Sequence, residues 1–131
     1  MPPRGGPAGG PADETLRREL EATVSEYRAS LGPRIAALEA LRGALAGARM
    51  PSSPGAEMRA EMRAELHREL HSIAGSGRTF GLAGVSEAAR AAELFMEQRC
   101  AAGSAPDASA WEQLKALLRE LAAVSQKAAV P

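Results

Sequence analysis

Two histidines, His67 and His71, stand four residues apart, and Gly75, Gly77 and Gly81 follow them closely. Imidazoles at this spacing can chelate a metal ion from one helix face, pack as structural rings, or present one ring as a nucleophile. The stretch reads His67-Arg68-Glu69-Leu70-His71, so it lacks a His-Glu-x-x-His run, and Arg68 disfavours a cation beside the pair. Zinc would also need Cys100 or a carboxylate such as Glu65 to complete its ligands. Glycine in a helix interior costs about 1 kcal/mol relative to alanine, so glycines next to a histidine call for a reason.

The elements that carry these residues are helical throughout. Residues 1–12, rich in Pro, Gly and Ala, offer no apolar face and are expected to form a disordered leader. Asp13 can cap a helix bearing Leu16, Leu20, Val24, Tyr27 and Leu31. Gly32-Pro33 interrupts the pattern, which resumes through Ile35, Leu38, Leu41 and Leu45; the spacing allows one kinked helix or two. MPSSPG at 50–55 reads as a loop. A third segment spans 56–79, about 35 Å long, and a fourth spans 85–100 with Val85, Ala88, Ala92 and Phe95. After the loop AAGSAPDAS, Asp107 or Ser109 caps a last helix carrying Trp111, Leu114, Leu117, Leu118, Leu121 and Val124. No segment alternates like a strand. The expected fold is all-α: an antiparallel four-helix bundle over 13–131 with an additional N-terminal helical segment. The expected core is Leu16, Leu20, Tyr27, Leu38, Leu41, Leu66, Leu70, Ile73, Phe80, Leu82, Phe95, Leu114, Leu117 and Leu121.

Composition narrows the function. The 131 residues carry 16 Lys+Arg and 16 Asp+Glu, and aromatics make up 3%, which argues against a polyanion partner or a base-stacking surface. No apolar run approaches the ~20 residues of a membrane span, and the N-terminus lacks a signal-peptide core. One cysteine, Cys100, cannot form an internal disulfide, which fits a cytoplasmic protein.

On a wheel of about 100° per residue with Leu66 at zero, Met58, Met62, Leu70, Ile73, Gly77 and Phe80 form the core stripe. His67 falls at its margin and His71 roughly 140° away. Ala60, Ala64, Ala74, Gly75 and Arg78 share the side of His71. That patch is bare of bulky side chains apart from one guanidinium, as if something must approach the backbone there. Gly77, on the core side, suits a close helix contact, and Gly81 suits a cap.

His71-Ser72-Ile73-Ala74-Gly75, with Gly81 at the helix exit, resembles the active helix of the histidine-containing phosphotransfer (Hpt) family. The family pattern is His, any residue, Leu or Ile, usually Lys, then Gly. The resemblance spans about residues 14–127, with its specific part at 66–94. It departs at Ala74, where the family usually has the lysine that steadies the phosphoryl group; Arg78, one turn on, is the candidate replacement.

The resemblance implies a phosphoryl carrier without kinase activity of its own, with His71 phosphorylated on Nε2. Gly75, Arg78, Ala74, Ala64 and His67 would contact the phosphoryl group or the partner. The implied partners are response-regulator receiver domains and a hybrid histidine kinase, with no nucleic acid and no membrane, and the chain is expected to be a monomer. It implies no cofactor of its own, the receiver supplying Mg²⁺, and no metal ligands. Two alternatives stay open: a bundle of the same fold that transfers nothing, which Ala74 favours, and the zinc site at His67 and His71.

Overall fold

A computed structural model describes residues 11–47, 55–100 and 107–129. It contains four helices, α1 (Pro11–Ala46), α2 (Ala56–Thr79), α3 (Ala83–Arg99) and α4 (Ala108–Ala129), and no strand among the described residues. Of the expected leader, residues 1–10 lie outside the described residues, as does most of the two expected loops. Pro11 and Ala12 already belong to the first turn of α1.

α1 passes through Gly32-Pro33 as one helix, so the additional N-terminal segment is its first half. A proline inside a helix costs about 3 kcal/mol. Burial of Leu31 and Ile35 on either side of it contributes roughly 1.5–3 kcal/mol each, which is enough to hold the two halves together.

The core expectation fails at Leu16 and Leu20, which are 56% and 58% exposed. Their periodicity is helical, but no helix among the described residues covers them. α1 is about 54 Å long against about 36 Å for α2, so its first turns run past the bundle. The first buried residue of α1 is Tyr27. Leu38, Leu66, Leu70, Ile73, Leu82, Leu114 and Leu121 are buried as expected, while Leu41, Phe80, Phe95 and Leu117 pack against the cluster half-buried. Leu31, Met96, Trp111 and Leu118 join them.

α1 packs on α2 and α4, α3 packs on the same two, and among the described residues the backbones of the diagonal pairs do not come close. Directions follow from matched contacts. Tyr27 reaches Ser76 and Arg34 reaches Glu69, so α1 and α2 run antiparallel. Ala74 meets Ser86 and His67 meets Glu97, so α2 and α3 do too. Arg42 reaches the carbonyl of Trp111 near the start of α4, whereas Gly32 and Ser125 share the groove further along, and α1 and α4 also oppose. The result is an up-down-up-down bundle.

Candidate functional site

Two sets of bonds hold α2 in place. From α1, Arg34 makes a bidentate pair with Glu69 and a further bond to Ser72. The Ser76 hydroxyl donates to the Ser72 carbonyl, so Tyr27 donates its own proton to Ser76 at 2.6 Å, and its ring stacks on Phe80 with centroids 4.5 Å apart. At the exit, Gly81 adopts φ +77°. Leu82 N–H then bonds the Gly77 carbonyl and Gly81 N–H the Arg78 carbonyl, the paired closure that a left-handed glycine permits.

Gly77 sets the distance to α3. A Cβ there would lie 3.1 Å from the Ser86 backbone nitrogen, and the buried Ser86 hydroxyl donates to the Ala74 carbonyl at 2.6 Å. One and two turns further along α3, this close approach brings Arg90 to the cleft beside His71 and Glu93 within hydrogen-bond distance of its ring.

Glu93 is 2% exposed. Its Oε2 accepts from His71 Nδ1 at 2.7 Å and its Oε1 accepts from Arg90 at 3.2 Å. Burial pushes the Glu93 carboxyl up, but the bonds from His71 and Arg90, with their charges, together outweigh it and hold it below the ordinary carboxylate value. An ionised carboxylate only accepts, so in the neutral ring Nδ1 carries the proton and Nε2 the lone pair. Nε2 has no partner among the described residues, and the side chain is 71% exposed. The arrangement is that of a nucleophile oriented from behind.

His71, Ala74, Gly75, Arg78, Arg90 and Leu94 line an open cleft of about 580 Å³. A Cβ on Gly75 would meet nothing within 4 Å, so the backbone beside His71 is open to approach. Arg78 is exposed on this cleft, and its guanidinium has no ion pair among the described residues.

Two expectations, on Ala74 and on the bareness of the patch, need correction. Ala74 is not on the outward patch: it is 9% exposed, because α3 closes over it through Ser86. Ala64 is exposed but does not line the cleft. The patch also carries more than one guanidinium, since Arg90, Glu87 and Leu94 reach it from α3. His67 lies further along the seam, with Nε2 2.7 Å from Glu97 and 3.7 Å from Glu93. Neither Glu65 nor Cys100 joins the donor group around His67, and the Cys100 thiol is buried.

Sequence reasoning passed over Glu93 and Arg90. The signal was present: Glu93 falls within the buried stripe of α3 formed by Val85, Ala89, Ala92 and Met96. A carboxylate on such a stripe persists only with partners.

A family model described as Hpt domain matches residues 14–124. The chain belongs to the Hpt family. Searches of curated proteins and of solved structures return no match. The match takes in most of each of the four helices, so this Hpt domain is a histidine phosphotransfer protein of the kind used in phosphorelays. No helix among the described residues is long and apolar enough to cross a membrane.

Proposed function

We propose that this Hpt domain carries a phosphoryl group on His71 Nε2 between aspartates of response-regulator receiver domains. The observation that supports this most is the Glu93–His71 bond, which fixes the proton on Nδ1 and leaves Nε2 unshielded. In the first transfer the Nε2 lone pair attacks the phosphorus of an aspartyl phosphate, the acyl P–O bond breaks, and the receiver carboxylate leaves. As the N–P bond forms, positive charge grows on the ring, and Glu93 stabilises it through the Nδ1 proton. The second transfer reverses these steps on another receiver.

The receiver supplies the Mg²⁺, and positioning and charge stabilisation are the work left to this chain. Arg78 and Arg90, both on the cleft, provide positive charge where Ala74 provides none. The open backbone at Gly75 admits the partner's loops. The same reading makes the protein a phosphocarrier without kinase activity, upstream or downstream of a hybrid kinase, and places it in the cytoplasm as a monomer.

Ala74 favours one other reading, a bundle of the same fold that transfers nothing. Incubation with a phosphorylated receiver decides between them. Acid-labile, alkali-stable label should reach the wild type and the His67→Gln variant but not His71→Gln; no label on the wild type with any receiver tried would leave the second reading.

A further inference from the structure

We propose that His67, Glu93 and Glu97 form a binding site for a divalent transition-metal ion, best suited to zinc, on the α2–α3 seam beside His71. His67 Nε2 lies 2.7 Å from Glu97 Oε2 and 3.7 Å from Glu93 Oε2, and one donor atom from each of the three residues falls within 4.8 Å of the others. Tetrahedral zinc, with bonds of about 2.0–2.2 Å to nitrogen and oxygen, sets its donors about 3.4 Å apart. The two separations from His67 bracket that value and the third pair of donors lies within 4.8 Å, so shifts of about an ångström or a little more make room for the ion.

The side chains that must shift are the ones free to do so. His67 and Glu97 are 38% and 47% exposed, whereas Glu93 is held from behind by Arg90 on its other oxygen. Glu93 and Glu97 sit one turn apart on α3, and His67 faces them from α2, so the ligands come from two packed helices as in other bundle metal sites. An imidazole nitrogen in the set favours zinc and its neighbours over magnesium or calcium, which prefer all-oxygen shells. Three protein donors leave a fourth position for water. His71 is not a ligand in this arrangement, which distinguishes it from chelation by the two histidines.

One consequence reaches the cleft. Glu93 Oε2 is also the acceptor for His71 Nδ1, so an ion on that oxygen competes with the bond that orients the ring. Bound zinc should therefore slow phosphorylation of His71; this consequence rests on the function proposed above, whereas binding itself does not.

The test is calorimetric titration of the full chain with zinc, alongside imidazole ¹⁵N spectra. The wild type should bind one ion with a shift at the His67 ring. Because losing only a group that hydrogen-bonds a ligand costs about 10–100-fold in affinity, losing a ligand itself in His67→Gln or Glu97→Gln should cost at least about tenfold. His71→Gln should still bind. No binding by the wild type, or binding lost in His71→Gln and kept in His67→Gln, would overturn the site. If zinc binds as described and label never reaches His71, the site stands and the transfer function alone falls. If label is transferred, zinc should slow it in the wild type and leave Glu97→Gln unaffected at the same concentration.

Discussion

The backbone of Ser86 approaches Gly77 so closely that a Cβ on the glycine would stand 3.1 Å from the serine nitrogen. That contact, one turn and a half beyond His71, sets how near α3 lies to α2. Gly75, only two residues earlier, faces open space. The two glycines should therefore respond differently to alanine. Gly75→Ala should gain about 1 kcal/mol from helix propensity. Gly77→Ala should be less stable than Gly75→Ala by about 1–3 kcal/mol, because the added methyl must push α3 away. Urea unfolding of the pair measures the difference.

Glu93 holds the Nδ1 proton of His71, so its charge should matter to transfer more than to folding. Glu93→Gln keeps the shape and an acceptor oxygen but loses the charge. A hydrogen bond to a charged group contributes about 1.5–3 kcal/mol, so phosphorylation of His71 by a labelled receiver should slow by about tenfold or more. Rapid-quench kinetics would show this, and an unchanged rate would remove Glu93 from the mechanism.

Arg78 is exposed on the cleft and unpaired among the described residues, which leaves its charge available. One charge pair at contact distance in water is worth about 1 kcal/mol, so Arg78→Ala should slow transfer by about fivefold, and less at high salt. Kinetics at low and high ionic strength check both parts.

Leu16 and Leu20 share the helical spacing of core leucines but not their burial. Leu16→Ala and Leu20→Ala should each change stability by less than about 0.5 kcal/mol. Leu70→Ala, at a fully buried site, should cost about 2–5 kcal/mol. Chemical denaturation of the three variants tests the contrast.

Two carboxyls are held below their ordinary value of 4.5. For Glu69 the hydrogen bond from Arg34 is the main cause and burial opposes it; for Glu93 burial is the largest single influence and pushes the other way, but His71 and Arg90 together prevail. A folded-state pKa below the unfolded one means that the stabilisation is present above about pH 4.5 and is lost as pH falls through the folded values. The urea midpoint should therefore drop on acidification below that point. Glu69→Gln should flatten the drop, since its carboxyl no longer binds a proton on unfolding.

Helix identity and the boundaries of α2 were readable from the chain, because they follow from spacing and propensity within a few residues of each position. So was the exposure of His71 and Gly75, since a wheel reports which side of one helix faces away from its own apolar stripe. The histidine motif, with its glycines, was local in the same sense. What lay beyond local reading depends on which helix stands opposite and where it ends. Leu16 and Leu20 looked like core residues until α1 proved longer than its partners. Ala74 looked outward until Ser86 closed over it. Glu93 meets His71, and Arg90 reaches the cleft beside it, only because Gly77 lets α3 come close and the two helices run antiparallel. A hydrogen bond between residues 22 positions apart has no signature in periodicity, and it exists only once packing has brought the two side chains together.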